Sequence, residues 1–250
     1  MTAIEIGLHG AVVLAAFLQT ITGIGFAMIA GPVILLALND GSAVQVTTLL
    51  SLLIAVVLAP GLRSRIDPPM LKQLSIGALA GLPFGIALFA LVGVDLLKLI
   101  AGLTVGVLTA LTLMIRRHEG AALRPASWGD WASGGVSGLF GGCLAMPGPT
   151  AAVRMNARNF DKMVTRATIL AMFVLVYPLI FAAHALTVGV TRETLITSAI
   201  LIPSTLAGVV IGHFAAPHVS ERLFRNMVLV LLAATSATLL VAGTGGLKGD

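Results

Sequence analysis

Gln19-Thr20-Ile21-Thr22-Gly23-Ile24-Gly25-Phe26-Ala27-Met28-Ile29-Ala30-Gly31-Pro32 is an apolar stretch interrupted by glycines and closed by a proline. A second stretch resembles it: Ser137-Gly138-Leu139-Phe140-Gly141-Gly142-Cys143-Leu144-Ala145-Met146-Pro147-Gly148-Pro149. A shift of 115 positions lays Thr22 on Ser137, Gly23 on Gly138, Ala30 on Ala145 and Pro32 on Pro147. Interrupted hydrophobic segments at matching places in two halves point to a binding site at a repeat interface within a membrane.

The rest of the chain has the composition of an integral membrane protein. It is 58% hydrophobic and 10% charged, with a mean hydropathy of +1.04. That is too little charge to clothe a 250-residue globular surface. Apolar segments run over 6–38, 43–60, 73–92, 95–115, 131–152, 166–190, 194–216 and 226–243. Their lengths suit helices crossing about 30 Å of hydrocarbon. The roughly ten-residue alternation of a transmembrane barrel is missing. Cys143 is the single cysteine, so no internal disulfide forms. No basic leader opens the sequence, and the N-terminus is expected to be retained. The net charge of +5 reflects basic loops beside helices, a mark of topology rather than of nucleic-acid binding.

Two segments do not fit one ordinary crossing. Segment 6–38 has 33 residues, and 131–152 carries Gly141-Gly142 in its middle and two prolines near its end. Loop charge separates the alternatives for the second. If 131–152 crosses once, Lys and Arg divide eight to seven between the faces. If it returns to its own side, one face holds Arg63, Arg65, Lys72, Arg116, Arg117, Arg124, Arg154, Arg158, Lys162, Arg166, Arg222 and Arg225. The other then holds Lys98, Arg192 and Lys248. The second division follows the positive-inside rule and makes the richer face cytoplasmic.

The internal resemblance extends the same reading to 6–38. The expected fold is therefore all-α and polytopic, with two inverted repeats over residues 1–120 and 121–250 in one integrated membrane domain. Each repeat is a re-entrant, glycine-broken hairpin plus three transmembrane helices, with the junction in 116–130. Both termini fall outside the cytoplasm.

A helix that restarts after a glycine break presents unpaired N–H groups and partial positive charge, which suits an anion. The candidate binding residues are Gln19, Thr20, Thr22, Gly23, Gly25 and Phe26 in the first stretch, and Ser137, Gly138, Gly141 and Gly142 in the second. The helix starts are expected near Gly25–Phe26 and Gly141–Gly142. Glycines also serve close helix packing, and matched duplication favours the binding reading. Arg166 is either an anchor at a helix end or an anion-attracting group at a cavity mouth. Arg154 and Arg158, four apart, share a helix face and read first as part of the basic cluster. His184 and His213 are candidates for proton coupling, since no Asp or Glu lies in the middle of a span.

Gly135-Val136-Ser137-Gly138 has the Gly-x-Ser-Gly form of rhomboid intramembrane proteases, but neither His9 nor His184 has the Asn four places on that would complete it. Thr22 at the matching place in the other half suits a symmetric binding element better than a nucleophile. No metal, P-loop or dinucleotide motif is present.

With Thr22-Gly23-Ile24-Gly25-Phe26 and Pro32, then Ser137-Gly138-Leu139-Phe140-Gly141-Gly142 with Pro147 and Pro149, then Arg166-Ala167-Thr168, the chain resembles the TauE/SafE family over nearly its whole length. Cys143 and Leu144 depart from the smaller or proline residues of that pattern. The resemblance implies a non-enzymatic secondary transporter of the bacterial inner membrane that exports sulfite, an organosulfonate or another sulfur-containing anion, without a cofactor. An anion channel is the alternative within transport, and the protease the alternative outside it. Expected partners are the small anion and the bilayer; a homodimer stays open.

Overall fold

A computed structural model describes residues 3–114, 127–215 and 221–246. Among these residues the chain is helical with no strand. The helices are α1 (Ala3–Thr22), α2 (Phe26–Leu38), α3 (Ser42–Leu58), α4 (Pro68–Leu91), α5 (Val94–Met114), α6 (Trp128–Leu144), α7 (Gly148–Ala157), α8 (Lys162–Thr187), α9 (Arg192–Ala215) and α10 (Glu221–Gly246), with a 3-10 segment over Ala59–Arg65. Five stretches are long and apolar enough to cross a membrane: Glu5–Thr22, Ser42–Arg65, Pro68–Leu91, Lys162–Thr187 and Arg192–Ala215. With Phe84, Leu91, Leu186, Val210 and Phe214 exposed on their outer faces, the chain is a multi-pass membrane protein. The expected junction falls largely outside the described residues, as do Arg116, Arg117, Arg124 and Lys248; the side chains of Arg222 and Arg225 do too.

Each awkward segment becomes two helices separated by three residues. In the first the break is Gly23-Ile24-Gly25; in the second it is Ala145-Met146-Pro147. Each opens on a left-handed residue, Gly23 at φ 81° and Ala145 at φ 58°. The second break therefore lies beyond the expected Gly141–Gly142 start, and the counterpart of Gly23 is Ala145, not Gly138. Ala145 turns the chain with its N–H folded back on Gly141 O, while the Met146 N–H folds back on Phe140 O. Pro147 then lacks the N–H to continue the helix.

The glycine pair stays inside α6 because α4 needs the space. Gly77, Gly81 and Gly85 of α4 face Gly134, Gly138 and Gly142 of α6, each set spaced by four. A Cβ on Gly81 would stand 1.9 Å from Gly135 O, and one on Gly138 2.0 Å from Ala78 O. Small residues at this spacing bring two helix backbones into contact. Helices α1 and α9 pack similarly, Gly208 lying on Val13 and Ala16, and Gly212 on Phe17 and Thr20.

These contacts also give directions. From Gly77–Trp131 to Gly85–Leu139, α4 and α6 advance together. So do α1 and α9, from the 2.6 Å bond between His9 Nδ1 and Ser204 Oγ to the Gly212–Thr20 contact. Helices α3 and α8 run oppositely: Gln45 Nε2 donates to Gly189 O (2.8 Å) past the end of α8, and Asp67 N donates to Thr168 Oγ1 (3.0 Å) near its start. One end of the bundle thus carries Asn39, Gly189, Arg192 and Lys98, which bonds Asn39 Oδ1 at 2.6 Å. The other carries Arg63, Arg65, Asp67, Lys72, Arg154, Arg158 and Lys162.

The α6–α7 hairpin returns to the end it started from. Asp130 in the first turn of α6 accepts Arg154 Nε (2.7 Å) and Arg158 Nη1 (2.8 Å) from the last turn of α7 and its cap. Arg154 also reaches Ser127, which joins Asp130 in a capping box. The two arginines thus close the hairpin instead of standing as a loose basic cluster. Burial opposes the charge on Asp130, but the Ser127 N–H and the two guanidinium groups hold its carboxyl below the usual range.

Candidate functional site

The two breaks meet at a small cavity lined by Gln19, Gly25 and Met28 on one side and by Met146, Gly148 and Pro149 on the other. Phe173 and Tyr177 of α8 wall it. It is small: the space open to the centre of a water-sized sphere is about 10 Å³, room for about one water in this conformation. Helix α2 begins here behind Gly25 (φ 124°) and α7 behind Pro147, neither cap residue offering a side-chain hydrogen bond of its own. Two helix N-termini therefore converge, each worth roughly half a positive charge.

Gln19 carries the most chemistry. Its side chain is 1% exposed, and its Oε1 accepts the Phe26 N–H at 3.0 Å across the break. Its Nε2 is buried with no hydrogen-bond partner. A buried amide donor left open beside two helix starts is a costly arrangement without a ligand to accept from it.

The other residues singled out from the sequence divide by role. The Thr22 hydroxyl lies between Leu18 O (2.8 Å) and Ile24 O and accepts the Ile24 N–H, which shapes the first turn. Thr20 donates to Ala16 O at 2.8 Å within its own helix. Gly23 lies on Arg166, with a Cβ there 2.5 Å from Arg166 Cγ. Arg166 is half-buried beside the first tip, its Nε unpartnered, and it does not line the cavity. Gly138 and Gly142 pack on α4, while Gly141 packs on Pro147 and Ile180.

Ser137 is fully buried, with its Oγ 2.6 Å from Thr150 Oγ1, so it straps α6 to α7 and bonds none of the described histidines. Replacing Ser137 with Ala is expected to cost about 1 kcal/mol of stability and to leave the cavity lining intact; thermal unfolding of the purified protein measures it. His184 Nε2 is 2.7 Å from Gly142 O and its ring packs on Phe89. His213 is exposed on α9, edge-on to Phe214.

Met28, Met146, Phe173 and Tyr177 are not among the binding residues expected from the sequence. Tyr177, the single tyrosine, donates to Ala145 O at 3.2 Å and ties α8 to the second tip. Its isolation within an apolar helix was the one available signal.

No curated protein and no solved structure matches the chain. Residues 8–239, however, match the family model described as Sulfite exporter TauE/SafE. With that match spanning both hairpins and nearly all of the helices around them, the chain belongs to the TauE/SafE family of sulfite exporters.

Proposed function

We propose that this protein exports a small sulfur oxyanion, sulfite or an organosulfonate, across the bacterial inner membrane by alternating access. The observation that carries this reading is the buried, unpartnered Nε2 of Gln19 beside the starts of α2 and α7. Two half-helix N-termini supply charge complementarity without a fixed cation. The Gln19 amide adds a directional donor, which selects an oxyanion over a halide-like sphere. The binding set is Gln19 with the backbone around Gly25–Phe26 and Gly148. Thr22 and Gly23 hold the first tip, Arg166 draws the anion toward it, and Ser137, Gly138, Gly141 and Gly142 position the second.

The halves act as inverted repeats, with residues 1–120 and 121–250 as the units. Their equivalent helices pair reciprocally, α1 with α9 as α6 with α4, and the hairpins enter from opposite ends. The end bearing Arg63, Arg65, Arg154 and Arg158 is cytoplasmic. Rocking of one repeat against the other then exposes a fixed central site to each side in turn. An inside-negative potential expels an anion at about 2.3 kcal/mol per charge per 100 mV, so export needs no intramembrane carboxylate. Of the two histidines, His184 is the one whose proton state bears on the site, through Gly142.

Replacing Gln19 with Glu tests the site. Glutamate keeps an acceptor for the Phe26 N–H and sets negative charge where the anion binds. The expected loss is about 3 kcal/mol, near a hundredfold in sulfite affinity, read as half-saturation of sulfite flux in proteoliposomes. An unchanged half-saturation would place the site elsewhere.

A further inference from the structure

A second cavity lies toward the Asn39 end, bounded by Gly31, Leu35, Val44, Ala101 and Leu144. Leu35 is in the last turn of α2, Val44 in the first turn of α3, and Ala101 one turn beyond Lys98. Met146 lines this cavity and the central one alike. Its side chain is 2% exposed, and its Cε lies 3.6 Å from where a Cβ on Gly31 would stand.

The two tips differ in access. Thr22, Ile24 and Gly25 of the first are only partly buried, whereas every residue from Gly141 to Pro149 of the second is buried. Ile24 and Met146 hold the same place, the middle of a three-residue break. Ile24 keeps partial access to its surroundings and Met146 is sealed, so the central cavity is closed toward the Asn39 end by the second tip.

We infer that Met146 is the gate between the central site and the Asn39-end cavity, and that its side chain must swing aside for the anion to leave. The inference rests on the transport reading above. An unbranched thioether with three rotatable bonds can change rotamer without moving the backbone. As an apolar plug it blocks a hydrated ion through desolvation. No other side chain lines both cavities.

The test is sulfite flux in proteoliposomes. Met146→Ala is expected to raise passive sulfite leak about tenfold or more, make it linear in concentration and abolish acceleration by sulfite on the opposite side. Met146→Leu, which restores the bulk, is expected to stay tight, as is Leu35→Ala, which enlarges the outer cavity alone. In a Cys143→Ala chain, Met146→Cys should leak until its thiol is capped by a methanethiosulfonate reagent, a check that does not depend on the alanine variant folding. Saturable, counterflow-accelerated flux in Met146→Ala, equal leak in Leu35→Ala, or a Met146→Cys leak indifferent to capping each overturns the gate alone. Absence of sulfite flux in the unmodified protein overturns the transport reading, and the gate falls with it.

Discussion

Replacing Gly81 with Leu is expected to leave no monodisperse protein after detergent extraction, and Gly81→Ala to cost about 3 kcal/mol, the upper part of the range for overpacking. A Cβ there would stand 1.9 Å from Gly135 O and 2.7 Å from Gly135 C. Those neighbours are backbone, so no side-chain rotamer relieves the contact, and α4 and α6 must separate along their length. Separation opens the row above and below, because a Cβ on Gly77 or on Gly85 would likewise stand 2.3 Å from Trp131 O or Leu139 O. Helix association in a bilayer relies on such packing, since lipid supplies no hydrophobic drive between helices. Gly10, in α1, has nothing within 4 Å of an added Cβ, and Gly10→Ala is expected to be neutral or stabilising by up to about 1 kcal/mol. Size-exclusion profiles and thermal unfolding of the three variants distinguish a packing glycine from an incidental one. Equal melting temperatures for Gly81→Ala and Gly10→Ala would refute the packing argument.

Asp130→Asn is expected to destabilise the protein by about 3 kcal/mol, the low end for losing one member of a buried ionic cluster. The carboxylate is fully buried and is shared by two guanidinium groups, of which Arg154 keeps partial access to water. Asparagine can still accept one hydrogen bond but gives Arg158, 10% exposed, a neutral amide in place of the Asp130 carboxylate. The hairpin then loses the clamp at its open end, and the consequence reaches the Ala145–Pro147 tip through α7. The sign of the pH dependence follows from the lowered carboxyl pKa. The clamp contributes fully above the ordinary carboxylate value near pH 4, and its contribution is lost as the pH falls through the lowered folded value. Thermal stability of the unmodified protein should fall in that acid range, while that of Asp130→Asn should lack this step. A parallel acid decline in both would show that the cluster is not its source.

What the sequence made legible follows its local physics. Composition and run length set the membrane class, and Gly23-Ile24-Gly25 marked a true break because two of its residues need positive φ. Loop charge pointed to a returning second hairpin, whose ends meet at Asp130, Arg154 and Arg158. The glycine pair misled because a hinge glycine and a packing glycine look alike until the opposite helix is known. Gly141-Gly142 stay helical since Gly142 meets α4 while Gly141 meets Pro147 and Ile180, and the turn fell instead to Ala145, a residue that rarely adopts a left-handed conformation. Arg158 and Asp130 are far apart in sequence and have no pattern linking them. Met146 and Tyr177 read as ordinary apolar and aromatic helix residues, because a cavity wall formed by α2, α7 and α8 together has no one-dimensional signature.

Sulfite flux into proteoliposomes holding a defined membrane potential bears on the central claim most directly. The account predicts saturable flux that rises with the potential in the direction that expels an anion, and that sulfite or an organosulfonate supports. Monodisperse, correctly inserted protein that moves neither anion at any potential would contradict it.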